Sequence, residues 1–178
     1  SARSGSLKYY IYPHNNVDEN WPTAGGVDVP YDFKERHDNQ TKLSSFAMAF
    51  VSKRPASGAV LVGGVVDHPT MGQAFNHMLA AQSNFVNWIF TFCENVGGGR
   101  VFISAAKMMF PHLKIMGSDL GKIVRLPGEG AGKAKNKKTR IQTELAPWLE
   151  NGTVLISDKD DPYLNLARDA LDNFSELN

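Results

Sequence analysis

Residues 7–12 form a short, aromatic-rich apolar run, and residues 13–22 read as an irregular lead-in. A strand pattern follows at 24–29, where a brief apolar segment surrounds Gly25-Gly26 and ends near Asp28 and Pro30. Residues 31–42 are polar and charged, as a loop would be. Residues 44–53 are rich in Phe, Met and Val and predict a second strand, with a turn at Pro55-Ala56-Ser57-Gly58. Residues 59–66 are almost entirely apolar, which predicts a third strand inside a covered sheet, and they lead into Asp67-His68-Pro69.

The period then lengthens. Phe75, Met78, Leu79, Phe85, Ile89 and Phe92 recur at roughly helical spacing, which predicts one long helix over 72–95, closed by Gly97-Gly98-Gly99. Residues 100–104 read as a fourth strand, 105–113 as a short helix and 122–126 as another strand. Residues 127–135 are glycine-rich and basic, hence a loop. Ile141, Leu145, Trp148 and Leu149 give an amphipathic helix, and Asn151-Gly152 stops it as a left-handed C-cap. A strand over 153–157 ends in Asp158, Asp160 and Asp161. The final helix spans 161–177, with Pro162 in its first turn and Tyr163, Leu166, Ala170, Leu171 and Phe174 on its inner face. Three strands with short links favour an antiparallel meander, and the later alternation of helix and strand favours parallel additions beside it. The predicted fold is therefore α/β, a ribonuclease-H-like mixed sheet flanked by helices. In that layout the carboxyl ends of the first, fourth and fifth strands lie on one side, where acids converge.

Composition adds three constraints. The chain has 178 residues, 42% of them hydrophobic, which suits a single domain over 7–178 with a sizeable core. Residues 1–6, SARSGS, read as a cloning scar and are set apart from the fold. The net charge of +1 gives no overall field to attract nucleic acid, so any such contact must come from a local patch. Lys122, Arg125, Lys133, Lys135, Lys137, Lys138 and Arg140 form one, opposed only by Glu129. The lone Cys93 excludes an internal disulfide and fits a reducing compartment. No apolar run reaches membrane-spanning length, and no secretory signal is visible.

Several phrases together resemble the nuclease domain of the large terminase subunit of tailed bacteriophages, over roughly residues 21–174. They are Gly26-Val27-Asp28 with its polar loop and Ser-rich second strand, Lys138-Thr139-Arg140, Glu150-Asn151-Gly152-Thr153-Val154, and the run from Asp158 to Phe174. The resemblance implies a metal-dependent endonuclease that cuts concatemeric viral DNA during packaging in the host cytoplasm. It also implies double-stranded DNA as substrate, and an ATPase motor domain, a portal and a small terminase subunit as partners. No GxxxxGK[ST] phosphate loop occurs, so the motor is not in this segment. Asp28 matches the family's first metal-binding acid. The second should end the fourth strand, a place that falls near Ser104, and Asp67 is the nearest acid to substitute. The third belongs to an Asp-Asp pair beyond the last helix; no such pair occurs there, and Asp158, Asp160 and Asp161 are its candidates.

Phosphodiester cleavage of this type uses two divalent ions held by carboxylates, so Mg²⁺ or Mn²⁺ is the expected cofactor; zinc would require His and Cys clusters. Asp28, Asp67 and Asp161 are the candidate metal ligands, with Asp28 the catalytic one. Each has a structural alternative: a turn before Pro30, a cap before His68-Pro69, and an N-cap before Pro162. Lys133, Lys135, Lys137, Lys138 and Arg140 are the candidate DNA contacts, the alternative being a solvated helix start. Two further readings stay open. One is a catalytically silent DNA-binding or docking module with a nuclease-like fold. The other is a different ribonuclease-H-like enzyme, such as a Holliday-junction resolvase or a transposase core.

Overall fold

The computed structural model describes residues 7–30, 33, 45–95, 98–118 and 137–174. Its centre is a mixed sheet of seven strands: β1 (Ile11–Tyr12), β2 (Thr23–Asp28), β3 (Phe46–Lys53), β4 (Ala59–Asp67), β5 (Trp88–Glu94), β6 (Ile115–Ser118) and β7 (Val154–Ser157). Their spatial order is β1-β7-β4-β3-β2-β5-β6. β2, β3 and β4 form the expected antiparallel meander. β5 and β6 add in parallel beside β2, and β7 adds in parallel beside β4. The five strands from β4 to β6 thus follow the ribonuclease-H-like order.

Helices cover both faces. On one side lie α1 (Met71–Asn84) and α2 (Gly98–Met109). Phe46 and Met48 of the sheet meet Phe75 and Met78 of α1 and Phe102 of α2 in a core with almost no exposure. The rings of Phe75 and Phe102 stack at 4.7 Å. On the other side, α3 (Lys137–Arg140) continues through a π-helical turn (Ile141–Leu145) into α4 (Ala146–Glu150), and α5 (Pro162–Asp172) follows β7. A smaller core of Leu149, Ile156 and Leu164 joins these helices to the sheet. Gly152 has φ +77°, the left-handed stop expected after Asn151. On α5 the fully buried residue is Leu164, whereas Leu166, expected on the inner face, is 56% exposed. No helix among the described residues is long and apolar enough to cross a membrane.

The main departure from expectation lies between 72 and 104. One long helix was expected to 95, but α1 stops at Asn84, and Phe85 is already extended at φ −87°, ψ 132°. Trp88–Glu94 is a strand, not the end of that helix. Its inward residues Trp88, Thr91 and Cys93 are buried, and a ladder to β2 satisfies its backbone. Aromatic and β-branched residues suit both a helical stripe and a pleated surface, so spacing alone misassigned them. The expected strand at 100–104 is instead the middle of α2, and Gly98 and Gly99 open that helix instead of closing one. The expected strand at 122–126 lies outside the described residues.

Gly99 is there for closeness. A Cβ at this position would collide with the backbone oxygen of Glu94 and sit 3.5 Å from Cys93 Sγ. The first turn of α2 can rest on the end of β5 only without a side chain. Gly99→Ala is therefore expected to destabilise the domain by about 1–3 kcal/mol, the usual range for overpacking a filled site. Chemical denaturation of the variant checks this, and wild-type stability would contradict the close approach.

Candidate functional site

β2 and β5 run in parallel, with Gly26 opposite Phe92 and Val27 opposite Cys93. The next step along both strands puts Asp28 beside Glu94, at the carboxyl ends of neighbouring strands. Side chains alternate across a strand, so both carboxylates leave the sheet on the face away from buried Val27 and Cys93. The Cys93 thiol registers them from the far side. Its pKa is pushed up to about 12, first by burial and then by the negative charges of Asp28 and Glu94.

A cleft of about 490 Å³ opens over this pair. Gly26, Ala47 and Ala49 form its floor, and a Cβ built at Gly26 would meet nothing within 4 Å. Such small residues leave the sheet surface low beside the acids. Tyr163 of α5 forms a wall. It reaches the sheet because Gly64 lacks a side chain; a Cβ there would lie 2.5 Å from the tyrosine ring. Burial, and then the charge of Asp161, raise the pKa of the Tyr163 phenol, so it remains a neutral hydrogen-bond donor at physiological pH. Arg140 closes the cleft opposite, with Nη1 donating to Glu94 Oε1 at 3.1 Å.

Asp28 stands where the sequence placed it, at the end of the meander's first strand. Asp67 ends β4 on the same edge but does not join Asp28. It pairs in register with Phe46, which points into the core beneath α1, so Asp67 lies on the opposite face. There Asp67 Oδ2 meets His77 Nε2 at 3.1 Å, and Oδ1 accepts the His68 backbone N–H at 2.7 Å. Asp161 occupies the N-cap position of α5 without a side-chain capping bond. Asp158 accepts the His14 backbone N–H and Asp160 accepts the Asn165 amide. None of these three acids lines the cleft. Ser104, where the second acid was expected, lies within α2.

The acid that sequence reasoning missed is Glu94. It ends β5, the strand in the fourth place of the ribonuclease-H-like order, and the local signal was only its aromatic and β-branched content and its terminal carboxylate, which spacing did not separate from helix. Among the described residues no three His, Cys, Asp or Glu side chains gather as a complete metal cage, so the site there is a carboxylate pair. Lys133 and Lys135 lie outside the described residues. Lys137 and Lys138 open α3, which places the end of the basic run in sequence continuity with Arg140 at the cleft. No protein-family profile matches the chain, and no curated protein matches it.

The Asp67–His77 contact makes its own prediction. The hydrogen bond from His77, above all, lowers the Asp67 pKa below the ordinary 3.8. A carboxylate with a depressed folded-state pKa adds stability above its unfolded pKa and loses it as pH falls through the folded value. Asp67→Asn should therefore lower thermal stability at pH 7, and the gap from wild type should close as pH falls below 3.8. Melting curves at neutral and acidic pH check this. A gap that widens in acid would contradict the assignment.

Proposed function

We propose that this chain is a divalent-metal-dependent endonuclease domain of the terminase large-subunit type, acting on double-stranded DNA. The observation that carries the reading is the adjacency of Asp28 and Glu94 at the carboxyl ends of parallel neighbours in a ribonuclease-H-like sheet. The donor set fits the implied ion: two hard carboxylate oxygen donors at an open cleft, with no imidazole or thiolate among the lining residues, suit Mg²⁺ or Mn²⁺. When bound, such ions activate water and neutralise charge at the scissile phosphate. Asp28 and Glu94 would hold the metal. The low floor of the cleft gives a phosphodiester backbone room to approach the acids, and Tyr163 limits that approach from one side. Arg140 offers a guanidinium fork to phosphate. Lys133, Lys135, Lys137 and Lys138 precede it in the sequence, and this reading assigns them to the DNA backbone, which basic side chains grip without reading bases. In the full assembly this reading places the domain beside an ATPase motor, a portal and a small terminase subunit, in the cytoplasm of an infected host.

One observation favours the silent-module alternative. Glu94 is already paired with Arg140, and no third carboxylate joins the pair among the described residues. The two readings differ on chelation: an enzyme stops cutting when the metal is removed, whereas a silent module binds DNA identically with or without it.

Asp28→Asn and Glu94→Gln are each expected to abolish nicking of supercoiled plasmid in Mn²⁺ while leaving the melting curve close to wild type. Each removes an anionic ligand and keeps the side-chain volume. Plasmid nicking assays with parallel melts check both, and undiminished cutting by either variant would remove that acid from the site.

Neutralising Lys133, Lys135, Lys137 and Lys138 together should weaken binding to unrelated duplexes about equally. It should also flatten the log–log salt dependence by roughly 0.9 for each phosphate that the protein no longer neutralises. Affinity measured against salt for two duplexes checks this. An unchanged slope, or a weakening confined to one duplex, would move the DNA track elsewhere.

A further inference from the structure

We propose that Arg140 is a resting counter-cation for Glu94, and that a DNA phosphate releases the acid by taking the guanidinium. Substrate binding would then complete the metal site. The inference rests on the nuclease reading and adds a regulation to it: the site is held closed to metal until DNA arrives.

The geometry points this way. Arg140 and Glu94 are paired at 3.1 Å in the same cleft as Asp28, so a fixed positive charge sits where a divalent cation would have to bind. A guanidinium and a divalent cation on the same carboxylate repel each other, and an engaged carboxylate oxygen is a poorer ligand. The pair is nevertheless built to part. Its side chains are 30% and 37% exposed, a setting in which solvent screens ion pairs and their net stabilisation is small.

The guanidinium is also under-used. Its Nε is buried without a hydrogen-bond partner, and so is Glu144 Oε1, one turn further along. Phosphate presents two oxygens to the Nε–Nη2 edge of arginine, which Glu94, on Nη1, leaves unused; because Nε is buried where it stands, engaging that edge requires the guanidinium to turn, and turning breaks the single Nη1 bond to Glu94. Buried donors without partners are uncommon in folded proteins, and their presence at a cleft points to a second arrangement in which they are used. The backbone supplies a pivot. The π-helical turn begins at Ile141, directly after Arg140, and ends where α4 is anchored by buried Leu149. Such turns are unusual insertions in a helix and recur at functional sites. The titratable groups facing this exchange are Asp28, Glu94 and Tyr163 across the cleft and Glu144 on the π turn. Departure of Arg140 from Glu94 frees the carboxylate oxygen that Nη1 now engages.

The test is Mn²⁺ affinity of the DNA-free protein, read from the paramagnetic resonance signal of the free ion. Arg140→Gln should bind Mn²⁺ about five-fold more tightly than wild type, or better, within the range of typical site–site coupling. Arg140→Lys keeps the charge and should stay close to wild type. Equal or weaker binding by Arg140→Gln overturns the inference, because a residue that merely positions Glu94 would cost affinity when removed. Binding by Arg140→Lys as tight as by Arg140→Gln also overturns it. A measurement on the unmodified protein guards against a variant that fails to fold. At matched ionic strength, exchanging chloride for sulfate, a stand-in for phosphate, should tighten Mn²⁺ binding. No sulfate effect overturns the inference. Asp28→Asn separates this result from the parent reading. If that variant binds Mn²⁺ as wild type does, the carboxylate pair is not a metal site and the nuclease reading falls with it. If Asp28→Asn loses Mn²⁺ and the Arg140 variants behave otherwise than stated, only the release mechanism falls.

Discussion

The parallel ladder between β2 and β5 is the constraint on which the rest depends. β2 is the first strand of an antiparallel meander, so it could have remained an edge. Instead the chain leaves β4 through α1 and returns beside β2. That return gives β2 a neighbour on each side and makes it a central strand, buried on the α1 side through Thr23, Gly25 and Val27. It also fixes register. A slip of one residue would turn Trp88, Thr91 and Cys93 out of the core, at the cost of exposing a large aromatic ring. Holding those three inward obliges Phe92 and Glu94 to face the other way, beside Gly26 and Asp28. Placement of the acid pair is thus a consequence of core packing on the far side of the sheet.

Two carboxylates on adjacent strands repel each other, and the fold manages that repulsion locally. The chain as a whole is nearly neutral, so no global field compensates. Arg140 does, from α3, and its helix is carried to the cleft by packing of Leu145 and Leu149 in the smaller core. Meanwhile Cys93 lies under both acids and stays a neutral thiol, which keeps that part of the core free of charge. The result is an acidic pair with a cationic partner on one face, and an uncharged, close-packed layer on the other.

The meander was legible because its three strands carry apolar runs with glycine and proline punctuation, and because the link from β3 to β4 is a short turn. Asp28 was legible for the same reason: it terminates a strand whose limits are plain. The stop at Gly152 was legible because a left-handed position selects glycine. Glu94 was not, and the reason is physical. Residues 85–93 place aromatic and β-branched side chains at spacings that fit a helix and a pleat almost equally, and no proline or glycine separates them from α1. The decision is made by tertiary pairing with β2, which no local pattern records. With that strand read as helix, the fourth-strand position slid to Ser104, and Asp67 was drawn in as a substitute. The glycine run misled in a related way, because Gly99 serves close approach to β5 and not chain termination.

Asp67 shows why the end of a strand is not enough to define a site. It sits on the same sheet edge as Asp28, two strands away, yet its register partner is Phe46 and not Ala47. One residue of difference assigns it to the face that α1 covers, where His77 takes it as a partner and stacks on Phe46. The opposite face is lined along one row by Gly64, Ala49, Gly26 and Phe92. That row carries little bulk, so α5 can bring Tyr163 down onto Gly64 while the sheet beside it stays open. Large side chains are concentrated on the α1 side, where they hold the register. Small ones are kept on the side where the cleft opens over the acids. A domain with this division can change its cleft through α3, the π turn and α5 without disturbing the packing that keeps Asp28 and Glu94 together.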